Sequence, residues 1–149
     1  MTTENENWHQ QCAGAARRIA AEAFDVSDAV LTAPNRCRAH IALARQVAMY
    51  LTHVVASISL TDIALAFSRD RTTVSHACRR IEDKRDELLF DLQIEQLEAR
   101  MRRELERIKL AEVLEAKTVQ ANDMAVRVVG ERPRYGLSVQ ARILPFRRR

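Results

Sequence analysis

Apolar residues recur every three or four positions along most of the chain, and that period predicts helices rather than strands. Over residues 7–24, Trp8, Cys12, Ala15, Ile19, Ala23 and Phe24 share one helical face, with Arg17, Arg18 and Glu22 largely on the other. FDVSDAVLT then offers Ser27 or Asp28 as the N-cap of a short second helix. Pro34-Asn35 ends it, because the residue before a proline resists the helical conformation. A longer helix is predicted from about Arg38 to Ala56, with Ile41, Ala44, Val47, Ala48, Leu51 and Val54/Val55 as its buried stripe.

Ser59 opens SLTD, a capping box in form, with Asp62 where Glu or Gln usually stands. Leu60, Ile63, Ala64 and Phe67 give the following helix an apolar face about two turns long. SRDRTTVSHACRRI, residues 68–81, follows at once: Asp70 is expected to cap, and Val74, Ala77, Cys78 and Ile81 form a narrow stripe. Two short helices around a tight turn, the second dressed in Arg and Thr, are the organisation of a helix-turn-helix.

Past Ile81, over residues 82–117, the sequence is rich in Glu, Arg and Leu and holds neither Gly nor Pro. Phe90, Ile94, Leu97, Met101, Leu105 and Ile108 carry a single stripe, flanked by Glu–Arg pairs three or four residues apart. This predicts a long charged helix over 89–117, either resting on its own domain or forming a homodimer through residues 88–117. From about Thr118 the period weakens. AVRVV and LSVQARIL alternate like the strands of a marginal hairpin around GERPRYG, and RILPFRRR reads as a flexible basic arm. The expected division is a polar extension (1–9), a helical domain (10–88), the long helix (89–117) and a basic tail (118–149).

Composition agrees with an all-α chain: of 149 residues only three are Gly and three Pro, and 47% are apolar. The formal charge is +4, concentrated around Arg36–Arg45, around Arg69–Arg85 and over Arg132–Arg149, which favours an anionic partner. Cys12, Cys37 and Cys78 are odd in number, widely spaced and without a CxxC, so the expectation is a reducing cytoplasm, near the nucleoid. With His9, His40, His53 and His76 they form no metal-ligand spacing, and no metal or other cofactor is expected. MTTENENWHQ is not a signal peptide, and no apolar run approaches the roughly 20 residues that span a membrane.

Reading duplex DNA takes donors and acceptors on a helix that enters the major groove. Asp70, Arg71 and Thr72 fall at the N-terminal end of the second short helix, the part that meets base edges in this motif. A carboxylate accepts from an exocyclic amino group, a guanidinium forks onto guanine, and a threonine methyl meets a thymine methyl. His76 and Arg80 follow on the same side. Arg69, Thr73 and Arg79 suit phosphates, as does the helix start at Leu60 and Thr61. Asp70 is the most informative of these, since a carboxylate on a phosphate-facing surface is unfavourable unless it caps the helix or reads a base.

HIALARQVAMYLT followed by SLTDIALAFSRDRTTVSHACRRIE resembles the C-terminal DNA-binding domain of the bacterial chromosomal replication initiator, DnaA, over roughly residues 10–88. The resemblance implies binding of a nine-base-pair box, with the second helix in the major groove and a basic loop in the minor groove. It assigns base contacts to Asp70, Arg71, Thr72 and Arg80, with His76 in the same face. It assigns phosphates to Arg45, Gln46, Leu60, Arg69 and Thr73, and the minor-groove loop to NRCRAH. Three departures stand out. Arg71 replaces the family's usual His; FSRD is one residue shorter than FGGRD and lacks its glycines; and Cys37 occupies the place of the minor-groove Arg, flanked by Arg36 and Arg38.

The initiator's ATPase module is not expected in these 149 residues, which hold no GxxxxGK[ST] loop, and no catalytic constellation stands at interpretable positions. The expected function is therefore non-enzymatic, sequence-specific binding of double-stranded DNA that acts by occupying sites. A transcriptional regulator is the first expectation and a modulator of replication initiation the second. The third is a protein-interaction module with a vestigial DNA surface.

Overall fold

The computed structural model describes residues 2–33 and 38–129 of the chain. Six helices succeed one another: α1 (Thr2–Ala23), α2 (Asp28–Thr32), α3 (Ala39–Val54), α4 (Leu60–Ala66), α5 (Arg71–Lys84) and α6 (Leu88–Val129). No strand occurs among the described residues, so the fold class is all-α, as the hydrophobic period predicts.

Three helix junctions use residues in the left-handed region, and none of the three is glycine: Asp25 (φ 51°), Ser57 (φ 56°) and Ser68 (φ 51°). The α1 and α4 ends are Schellman motifs. The Val26 amide donates to Ala21 O at 2.9 Å, and the Arg69 amide donates to Ala64 O at 2.9 Å. The chain thus stops its helices with short polar side chains where most sequences place Gly. α2 stops instead at Ala33 (φ −59°, ψ 138°), the extended conformation that the following Pro34 imposes. α4 starts at the expected cap: Ser59 Oγ accepts from the Asp62 amide at 3.2 Å and donates to Asp62 Oδ2 at 2.6 Å.

Two compact units are distinguished, Met1–Glu112 and Val113–Arg149. In the first, α1 packs on α3 and α4, and α3 packs on α5. The core runs from Cys12, Ala16 and Ile19 on α1 through Val47, Met49 and Leu51 on α3 to Ile63, Phe67, Val74 and Ile81 of the α4–α5 pair. Phe90, Ile94, Leu97, Met101 and Leu105 of α6 complete it, each at most 8% exposed. The predicted stripe of α6 therefore faces the chain's own domain. Polar ties along its flank run to α1: Arg18 to Glu104 (3.3 Å), Arg100 to Glu22, and Lys109 over the Trp8 ring at 5.5 Å. In the second unit, the described residues are the helical turns from Val113 to Val129, whose Val113, Leu114, Val119 and Met124 are exposed.

Three boundaries differ from the sequence reading. Residues 2–9 belong to α1 rather than to a polar extension, because nothing there breaks a helix and Trp8 closes onto the core. α3 is shorter at both ends than Arg38–Ala56. α6 passes residue 117 and reaches Val129, so AVRVV is helical rather than a strand; the first helix breaker after Ile81 is Gly130. The second half of the proposed hairpin and the basic arm, residues 130–149, lie outside the described residues.

Candidate nucleic-acid interface

α4, the turn through Ser68 and α5 form the helix-turn-helix. Val74, Ala77, Cys78 and Ile81 turn inward from α5 onto α3 and α4, as the stripe predicts. That leaves Asp70, Arg71, Thr72, Thr73, His76, Arg79 and Arg80 exposed. A short helix buried on one side and covered by donors on the other fits the dimensions and chemistry of a major groove.

An open cleft of about 780 Å³ lies between α3 and the helix-turn-helix. Arg45 and Gln46 line it from α3, Arg69 and Asp70 from the turn, and Thr73, His76 and Arg80 from α5. Seven of the sequence-predicted residues, drawn from positions up to 35 apart in the chain, thus converge on one concavity. The others stand outside it. Arg71, Thr72 and Arg79 occupy the outer side of α5, and Arg38 is exposed at the start of α3. Thr61 is exposed at the start of α4, beside a half-buried Leu60 that packs against the core. Arg36 and Cys37 lie outside the described residues.

Asp70 takes the backbone geometry of an N-cap (φ −73°, ψ 147°), yet its side chain makes no capping hydrogen bond. This corrects half of the expectation. Asp70 is instead an exposed residue of the cleft lining. Arg45 also does more than the sequence indicated. Its guanidinium donates to Leu31 O (2.7 Å), Val30 O (3.0 Å) and Ala33 O (3.1 Å), so it caps the last carbonyls of α2. Arg69 Nη2 donates to the same Ala33 O at 2.5 Å. Two cleft arginines therefore fix the end of α2, the chain's entry to the NRCRAH loop.

Among the cleft residues that the sequence reading did not assign to the site, two are exposed. Leu65, 73% exposed, falls off the Leu60–Ile63–Ala64–Phe67 stripe, and that displacement was its only sequence signal. Ser68 lies on the lining at the left-handed turn.

At its far end α5 is clamped. Arg85 Nε donates to Asp91 Oδ1 (2.6 Å), and Arg85 Nη1 donates to Glu98 Oε1 (2.7 Å) and to the Tyr50 hydroxyl (2.7 Å). Burial pushes the Tyr50 hydroxyl pKa up, against the opposing hydrogen bond from Arg85. Burial likewise raises the Cys78 thiol to about 11, with Glu82 adding to the effect, which leaves it a protonated core side chain rather than a nucleophile. Among the described residues no group of three His, Cys, Asp or Glu side chains is placed to hold a metal ion. No described helix is long and apolar enough to cross a membrane.

The sequence pattern of the bacterial dnaA protein helix-turn-helix matches residues 16–81. The chromosomal replication initiator protein DnaA of Bifidobacterium animalis subsp. lactis is 50% identical over 58 residues, which are 38% of this chain and 10% of that protein. The DnaA of Symbiobacterium thermophilum is 40% identical over 90 residues, 59% of this chain and 19% of that one. A crystal structure of a DNA replication initiation factor superposes with a TM-score of 0.63 at 28% identity, covering 70% of this chain and 32% of the other. A replication initiator DnaA bound to AMPPCP and single-stranded DNA gives 0.59 at 28% identity, covering 69% and 31%. The chain spans between a tenth and a fifth of these two sequence relatives. Residues 16–81 therefore carry the bacterial dnaA helix-turn-helix pattern, and the chain is DnaA C-terminal-domain-like, similar to one domain of the initiator.

Proposed function

We propose that the chain binds double-stranded DNA sequence-specifically through α5 and acts, without catalysis, by occupying its sites in the cytoplasm at the nucleoid. The observation that carries this is the convergence of Arg45, Gln46, Asp70, Thr73, His76 and Arg80 on one cleft beside the exposed N-terminal turn of α5. Asp70, Arg71, Thr72, His76 and Arg80 are the base readers. Arg45, Gln46, Leu60, Thr61, Arg69, Thr73 and Arg79 position the phosphates, and Arg36 and Arg38 serve the minor groove. Phosphate contacts supply most of the affinity, and the readers supply the discrimination.

Modulation of replication initiation, by occupation of initiator-type boxes, takes precedence over transcriptional regulation because the matched relatives are replication initiators. Arg71, where the family pattern has His, supports a site that departs from the standard box at one base. A homodimer through residues 88–117 would have to use the outward face of α6, around Leu92 and Leu110, since its buried stripe already closes the core.

Competition anisotropy at fixed salt tests the reading. A duplex recovered by selection should be bound on the order of 10³-fold more tightly than random duplex, and a ratio near one contradicts it.

A further inference from the structure

A second cleft, of about 400 Å³, lies between the first turns of α3 and the C-terminal half of α5. Ala42, Gln46 and Arg80 line both this cleft and the larger one, so the two form one continuous groove along α5. Its far end is flanked by His40, exposed on the first turn of α3, and by Lys84, the last residue of α5. Thr73, His76, Arg80 and Lys84 follow one another at steps of three, four and four residues, one line along the helix. No carboxylate lines the second cleft, and its floor is apolar.

We infer that this end of the groove seats one phosphodiester of the bound DNA, held by Lys84 and His40 with Gln46 and Arg80 at its edge. The inference rests on duplex binding by α5. A strand that leaves the major groove at α5 and runs toward Arg38 passes over the first turn of α3, where backbone amides and the helix dipole favour an anion. The apolar floor accepts a deoxyribose while the two flanking side chains take its phosphate. The Lys84 ammonium rests 4.9 Å from the centroid of the Phe90 ring and 3.5 Å from Glu87 Oε1, at the edge of the cleft that Lys84 lines. The Glu87 pairing is exposed and yields readily to a phosphate. Lys84 lies beyond the family match at residues 16–81, and Phe90, over whose ring it rests, belongs to α6, so this anchor is an addition to the matched domain.

The test uses the full chain, a selected duplex and random duplex, and a set of selected duplexes each carrying one methylphosphonate. Lys84→Met keeps the stem over Phe90 and removes the charge. It should make the slope of log Kd against log salt shallower by about one, with equal loss on selected and random duplexes. Lys84→Arg should retain the slope, and His40→Ala should weaken both duplexes by the same factor. One methylphosphonate position should weaken the wild type and leave Lys84→Met unchanged. Wild-type affinity and slope in both Lys84→Met and His40→Ala would overturn the phosphate seat while leaving α5 as the reader. Absence of duplex binding by the wild type would remove both.

Discussion

Arg85 Nη1 lies 2.7 Å from Glu98 Oε1, a charge-assisted bond from the residue that ends α5 to α6. The same nitrogen reaches the Tyr50 hydroxyl at 2.7 Å, and Tyr50 in turn lies 3.1 Å from Glu98 Oε1. α3, α5 and α6 therefore meet at one polar node inside an otherwise apolar contact. Glu98 is 8% exposed, so removing its partner strands a buried carboxylate, and removing Glu98 strands the guanidinium. Glu98→Ala is expected to lower the unfolding free energy by about 2–4 kcal/mol, measured by urea denaturation. The selected DNA motif should not change, because Asp70, Arg71 and Thr72 lie at the other end of α5.

The buried thiols make stability fall at high pH. Cys12 is raised from the ordinary 9.0 to about 12 by burial, with Glu112 beside it, and Cys78 from 9.0 to about 11. A thiol whose pKa is higher folded than unfolded stabilises fully below the unfolded value and loses that contribution as pH rises toward the folded value. The unfolding free energy should therefore drop between about pH 9 and 11, by as much as ~1.4 kcal/mol per pH unit for each thiol. A Cys12→Ala, Cys78→Ala double variant should show a smaller drop across that window. An equally steep drop in the variant would assign the effect to other groups.

Ser68 holds the helix-turn-helix corner at φ 51°, a conformation open to glycine without cost. Ser68→Gly should stabilise the fold by about 0.5–1 kcal/mol, and Ser68→Val should destabilise it by about 1–2 kcal/mol. Thermal unfolding of the two variants checks the sign in each direction.

Arg45 should affect both folding and binding. Its three carbonyl contacts at the end of α2 predict that Arg45→Ala loses about 1–3 kcal/mol of stability as well as affinity for all duplexes alike. Arg45→Lys should rescue little of the stability, because an ammonium lacks the fork that spans three acceptors. Denaturant unfolding and anisotropy on the same preparations separate the two losses.

Shortening the chain distinguishes the roles of α6. Ending it at Asp86 removes Phe90, Ile94, Leu97, Met101 and Leu105 from the core, so that fragment should lose cooperative unfolding. Ending it at Glu112 retains the whole first unit and should leave a folded protein with the wild-type motif. If the Val113–Val129 turns pair two copies, sizing of this folded truncation should register a halved mass.

Much of the fold was legible because it rests on local periodicity. The inward set of α5, Val74, Ala77, Cys78 and Ile81, and the α6 stripe from Phe90 to Leu105 both follow from residue spacing alone. The Ser59 cap follows from a four-residue motif. What escaped depends on distance in the chain. Nothing local in Tyr50, Arg85 or Glu98 indicates that three helices bring them together. The contacts of Arg45 to the end of α2 were not foreseeable, because carbonyl acceptors at the end of another helix carry no sequence signature. The end of α6 was misplaced because a hydrophobic period fades on an exposed helix while the backbone still meets no Gly or Pro. Among the candidate readers, exposure was foreseeable from the helical face, whereas the missing capping hydrogen bond of Asp70 was not.

The most direct test of the central claim is in vitro selection from a random duplex pool with the wild type and Arg71→Ala side by side. The wild type should enrich one motif. The variant should enrich the same motif relaxed at a single base pair, with affinity for the wild-type site lower by about 1–3 kcal/mol. No enrichment over the starting pool, or an identical motif from both proteins, would contradict base reading by the N-terminal turn of α5.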